Sequence, residues 1–145
     1  MQDGVNDKGW GCAYRSFQTV WSWLRLQGYT DQPVPTHRQI QQALVDCGEK
    51  PASFVGTSNW VGSLELQLLS QPNVGYIIQD FVRKYSCYDW RRLGDVRFLV
   101  LDPHYTGDEN VNTIVDKGWC GWKPPSFWEE NAFYNLLLPQ LPKCV

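Results

Sequence analysis

Cys12 follows Gly-Trp-Gly and opens a run, CAYRSFQTVWSWLRL, that reads as a helix. A helix amino terminus presents backbone N–H groups without intrahelical partners, together with the positive end of the helix dipole. That setting favours a thiolate over a thiol, and the same N–H groups can hold an oxyanion once a carbonyl is attacked. A nucleophile of this kind needs a base, and the chain has two histidines, His37 and His104. His104 follows the carboxyl end of the best strand candidate, in LVLDPHYTG, and Asp102 precedes it across Pro103. Strand carboxyl ends are common places for catalytic groups. The proline biases Asp102 toward an extended backbone, from which its carboxylate can orient and charge-stabilise the imidazole. Cys12, His104 and Asp102 are thus the three parts of a nucleophilic triad: thiol, base and orienting carboxylate. Singly each is a weak signal. A lone cysteine is usually a small buried hydrophobe, and Asp-Pro is ordinary turn chemistry. The three gain weight together because each supplies what the others lack.

The competing candidates are poorer. His37 lies in a capping box at a helix start and reads as a surface or cap histidine. Cys120 is followed by Gly-Trp-Lys-Pro-Pro, which cannot open a helix smoothly. Cys47 and Cys144 lie near a helix end and the chain end, and Cys87 falls where the pattern is hard to read. Five cysteines is an odd number, no CxxC pair occurs, and MQDGVNDKGW has no signal-peptide pattern. Reduced thiols are therefore expected, with no zinc site and no cofactor. DKGW occurs twice, at Asp7–Trp10 and Asp116–Trp119, which is too short an echo to claim a repeat.

The chain that must position these groups has 145 residues, 43% hydrophobic and 19% charged, so it is long enough for one globular domain with a real core. A net charge of −2 argues against a nucleic-acid binder. The best apolar runs, Phe98–Leu101 and Leu136–Leu138, are far too short to span a membrane. Most of the eight tryptophans read as an aromatic core. Apolar spacing predicts a first helix from Cys12 to about Leu26, with Phe17, Val20, Trp21 and Leu24 on one face and Gly28 as its stop. Thr36 and Gln39 form a capping box for a second helix carrying Ile40, Ala43 and Leu44, closed by Gly48. Ser58 or Asn59 is expected to cap a third helix bearing Val61, Leu64 and Leu68. A short strand is placed at Val74–Ile78. Val96–Leu101 reads as a buried strand, Asp108–Lys117 as a short helix, and Gly118–Pro125 as a loop. A further helical turn is expected around Ser126–Glu130, followed by a strand at Phe133–Leu138. The sum is an α+β chain with helices early and strands late.

Several of these segments resemble a known family. GWGCAYRS (Gly9–Ser16) is similar to the nucleophile motif of the cysteine proteases specific for ubiquitin-fold modifier 1, and LDPHYTG (Leu101–Gly107) to their Asp-Pro-His segment. KGWCGWK, FYNLLLPQ, PTHRQIQQALVDCGEKPASFVG and NWVGSLELQLL extend the resemblance over Met1–Leu69 and Val96–Lys143. Proteases that process autophagy-type modifiers share GWGC…R and DPH. Tyr14, Tyr105 and KGWCGWK favour the first group. The resemblance implies a papain-like cysteine-protease fold, amino-terminal helices followed by a mainly antiparallel sheet. It implies cleavage after the carboxyl-terminal glycine of the modifier, from its precursor or its conjugates. It carries the nucleophile onto Cys12, the base onto His104 and the orienting carboxylate onto Asp102. A cytoplasmic monomer is expected, or one brought to the endoplasmic reticulum through a longer form or a partner.

The chain departs from the family pattern twice. The family has a Tyr just upstream of the segment matching MQDG that helps form the oxyanion hole, and this chain starts at Met1. It also has a longer middle region with a Gly-rich strand, which Ser70–Asp95 does not resemble. A single peptidase domain over 1–145, shortened at those two places, is therefore expected. Beside the active protease stand two alternatives: an impaired relative that binds the modifier without cleaving it, and a processing enzyme for autophagy-type modifiers.

Overall fold

The computed structural model describes residues 4–66, 69, 78–81, 97–107, 110–129 and 136–139. The chain falls into two compact units, Met1–Phe81 with Leu137–Val145, and Val82–Leu136. The expected strand at Val74–Ile78 lies outside the described residues except for Ile78, as do Cys87 and Cys144.

The first unit is built on two helices, α1 (Cys12–Leu26) and α2 (His37–Asp46). α1 has the extent that its apolar spacing predicts, and it buries Tyr14, Phe17, Trp21 and Leu24. Val20 is exposed, a correction to the expected face. The buried positions advance by three and four residues, which places Val20 beside the stripe and Tyr14 at its start. Gly28, at φ +77°, ends the helix, with its N–H on the Arg25 carbonyl and that of Tyr29 on Leu24. This is a Schellman closure, which a residue free to adopt positive φ makes possible. α2 starts with the expected capping box. The Thr36 hydroxyl accepts from Gln39 N–H, and the Gln39 side chain accepts from Thr36 N–H at 2.8 Å. It buries Ile40 and Leu44 against α1, joined by Phe54, Val61, Leu66 and Leu69 in one core.

The third helix begins later than expected, at residues 63–66. Neither Ser58 nor Asn59 caps it. The Glu65 carboxylate accepts instead from Gly62 N–H at 2.9 Å and is also bonded by Lys50 at 2.9 Å. Val61, Leu66 and Leu69 are buried and Leu64 is exposed, while Leu68 lies outside the described residues. β1 (Ile78–Phe81) pairs with β4 (Leu136–Pro139), so the strand expected at Phe133–Leu138 forms, shifted toward the carboxyl end.

Gln41 is the polar centre of this core. It is buried, its amide nitrogen donates to the Thr57 carbonyl at 2.8 Å and to the Tyr14 hydroxyl at 3.3 Å, and its oxygen accepts from Gly56 N–H at 2.7 Å. The Tyr14 hydroxyl donates on to the Asn59 carbonyl at 3.0 Å, and burial pushes its pKa up. Both helices are thereby tied to the loop at 55–59. Gln41→Leu strands the Gly56 donor and the Thr57 acceptor, each worth about 1–3 kcal/mol when orphaned. The urea midpoint is expected to fall at unchanged m-value; an unchanged midpoint would show that water replaces the amide.

The second unit carries β2 (Phe98–Leu101), α3 (Val111–Asp116) and β3 (Cys120–Lys123). β2 and β3 are antiparallel, with Phe98 opposite Lys123 and Leu101 opposite Cys120. Half of the expected loop at Gly118–Pro125 is thus strand, followed by a 3-10 turn at Pro125–Phe127. Nor is β2 the buried strand expected: Leu99 and its partner Trp122 are 60% and 64% exposed, while Phe98 and Val100 face the covered side. A two-stranded ribbon with one covered face alternates in this way. α3 is shorter than the Asp108–Lys117 span expected. It is capped by the Asn110 side chain on Thr113 N–H and closed by Gly118 at φ +77°.

Candidate active site

Cys12 is the first residue of α1 and is half-buried. Gly11 occupies the N-cap and makes no side-chain capping bond. The first-turn N–H groups therefore receive no side-chain oxygen from the cap. The loop before it is closed by Asp7, whose carbonyl accepts from Trp10 and Gly11 N–H at 3.1 and 2.8 Å. Gly9 takes φ +87° in this turn, and Gly118 takes +77° at the same place in the second DKGW. The echo is a shared left-handed turn residue in two different settings, one entering a helix and one leaving it.

Asp102 and His104 are brought together at the end of β2. Asp102 N–H donates to the Trp119 carbonyl at 2.8 Å, which continues the β2–β3 ladder by one bond and fixes the backbone. Its carboxylate Oδ1 then accepts from His104 N–H at 2.9 Å and contacts His104 Nδ1 at 2.7 Å. The first is an Asx-type turn bond; the second orients the ring. With Nδ1 as donor, Nε2 is the nitrogen left to act as base. The His104 N–H bond holds the Asp102 carboxyl below its ordinary value; burial opposes it, and the hydrogen bond and charge of the ring add smaller lowering effects. His104 is 67% exposed, open to a reacting partner. The Tyr105 ring lies 5.7 Å from that of Trp119, the residue before β3.

Cys12 belongs to the first unit and the Asp102–His104 pair to the second. Of the other thiols described, Cys47 is exposed at the carboxyl cap of α2 and Cys120 lies in a strand. Neither has helix N–H groups before it. His37 is not a surface histidine. It is 5% exposed, with Nε2 3.1 Å from the Asp7 carboxylate and its ring stacked on Tyr14 at 4.9 Å. Sequence reading missed this cluster of Asp7, Arg15 and His37. The signal was an arginine in the first turn of a helix with an acid eight residues before it. Among the described residues, no three His, Cys, Asp or Glu side chains gather to hold a metal ion.

The sequence profile of peptidase family C78 matches residues 1–89 and 85–137. The chain belongs to peptidase family C78. The Ufm1-specific protease of Caenorhabditis elegans is 46% identical over 98% of this chain and 30% of its own length. The human Ufm1-specific protease 2 is 44% identical over the whole of this chain and 38% of its own length. The crystal structure of UfSP from C. elegans, at 39% identity, superposes with a TM-score of 0.76 over 98% of this chain and 32% of that one. This C78 chain therefore has the α+β, papain-like cysteine-protease fold expected from its sequence, and spans between 30% and 38% of the length of these curated relatives. Its alignment with the human relative runs over 179 positions against 145 residues, leaving 34 positions of the relative without a counterpart. The two profile matches meet at residues 85–89.

Proposed function

We propose that this chain is the catalytic part of a thiol protease that cleaves after the carboxyl-terminal glycine of Ufm1, the ubiquitin-fold modifier, in its precursor and its conjugates. Cys12 attacks the glycine carbonyl and His104 Nε2 takes the thiol proton. Asp102 holds Nδ1 and stabilises the imidazolium. The N–H groups opening α1 receive the oxyanion. The imidazolium then protonates the leaving amine, and water, activated by the same ring, hydrolyses the thioester. The observation that carries this reading is the Asp102–His104 contact at 2.7 Å on a strand end, in a chain whose helix-start Cys12 lies within the residues matched to family C78. Relatives named for Ufm1 specificity, matched along the whole chain, support the substrate. A cytoplasmic, monomeric enzyme is part of this proposal; among the described residues no helix is long and apolar enough to cross a membrane.

A second reading, a module that binds Ufm1 without cleaving it, is favoured by the 34 positions without counterpart. Precursors of Ufm1, ubiquitin and an autophagy-type modifier, each incubated with the chain, separate the readings. Cleavage of the Ufm1 precursor alone is the expected result. Ufm1 binding without cleavage supports the module, and cleavage of the autophagy-type precursor overturns the specificity.

A further inference from the structure

We infer that Asp7, held against His37 and Arg15, is a positioning residue for Cys12, an inference that rests on the reading of Cys12 as the nucleophile. Its carbonyl closes the loop onto Gly11 N–H at 2.8 Å, just before Cys12. Its carboxylate Oδ2 accepts from Arg15 Nε at 2.5 Å, just after Cys12. Arg15 N–H in turn makes the first helical bond, to the Gly11 carbonyl at 2.9 Å. One residue thus grips the chain on both sides of the thiol.

The grip is itself anchored. Oδ2 lies 3.1 Å from Nε2 of His37, the first residue of α2, whose ring is packed between Tyr14 at 4.9 Å and Trp10 at 5.4 Å. A nearly buried ring stacked in this way has little room to turn, so the carboxylate it contacts is fixed relative to both helices. Gly11 supplies an independent observation. Its backbone, at φ −86° and ψ −5°, suits any residue, yet a Cβ there would collide with Cβ, Cγ and Oδ2 of Asp7. Close approach of Asp7, not backbone strain, is what requires glycine immediately before the nucleophile.

The test uses the whole chain and measures two rates: alkylation of Cys12 by iodoacetamide, read by peptide mass spectrometry, and labelling by Ufm1 bearing a carboxyl-terminal electrophile. Circular dichroism reports the folded fraction. Asp7→Ala is expected to slow labelling about 10²-fold in chain that remains folded, the scale of a small misplacement of a reacting group. His37→Leu should slow it in the same direction, while His37→Gln, whose amide nitrogen reaches the place of Nε2, restores it. Gly11→Ala should reproduce the Asp7→Ala loss and cost nothing further when combined with Asp7→Gly, which leaves room for the new methyl. Wild-type rates in Asp7→Ala and His37→Leu overturn the proposal, as does a loss that only tracks the folded fraction. Should Asp7→Ala not fold, the contrast between His37→Leu and His37→Gln decides. A wild-type chain that ignores the Ufm1 probe, yet shows an Asp7-dependent alkylation rate, overturns the protease reading and leaves the positioning role standing.

Discussion

Cys12→Ala is expected to abolish cleavage of the Ufm1 precursor, a fall of about 10⁶-fold, the scale seen when the nucleophile of a hydrolytic triad is removed. The fold should survive. Cys12 is only half-buried, and Ala is the best helix former, so the change removes a sulfur at the helix start without opening the core. Tyr14, Phe17, Trp21 and Leu24 keep their packing. Binding of mature Ufm1 should therefore persist in the variant, which makes it the control that separates chemistry from recognition. A variant that retained measurable turnover would move the nucleophile elsewhere, and Cys120 or Cys47 would be the thiols to replace next.

Asp102→Asn is expected to lower turnover about 10⁴-fold with little change in stability. The amide oxygen can still accept the His104 N–H bond, so the turn persists. What is lost is the charge, and with it the preference for Nδ1 as the protonated nitrogen. The stability effect is small because the Asp102 side chain is 42% exposed, where pairing with an open histidine contributes little. The pH dependence has a definite sign. A carboxyl whose folded value is depressed contributes stability above its unfolded value, near 3.9, that is lost as pH falls through the folded value. Acid loss of activity above that range thus reports groups other than Asp102. Stopped-time cleavage assays across pH, with urea melts alongside, check both statements. An Asn variant that cleaves at the native rate removes Asp102 from the site.

The helices were legible because their signals are local. Apolar residues three and four apart, a Thr-x-x-Gln box and glycines after Leu26, Asp46 and Asp116 define starts and stops within a few residues of chain. The helix start at Cys12 was legible for the same reason, since it can be read from the residues around it. The strand Cys120–Lys123 was not. Two glycines and two tryptophans between Lys117 and Lys123 look like a loop, and only pairing with Phe98–Leu101 makes them extended. The third helix was misplaced because its cap is a carboxylate reaching back from Glu65, not a hydroxyl ahead of it. His37 was misread because burial depends on what arrives from far along the chain. Asp7 lies thirty residues away in sequence, and nothing near His37 announces it. The Asp102–His104 pair stands between these cases. The proline and the strand end were visible, while the bond from Asp102 N–H to Trp119 that fixes the turn needed the unrecognised strand.

The central claim is that Cys12 and the Asp102–His104 pair act as one catalytic centre on Ufm1. The most direct measurement treats the wild-type chain and His104→Ala with Ufm1 carrying a carboxyl-terminal electrophile and maps the adduct by mass spectrometry. The expected result is a single adduct on Cys12 in the wild-type chain, slowed by orders of magnitude in His104→Ala. Adduct formation on Cys47 or Cys120, or a Cys12 adduct that forms as fast without His104, would contradict the claim.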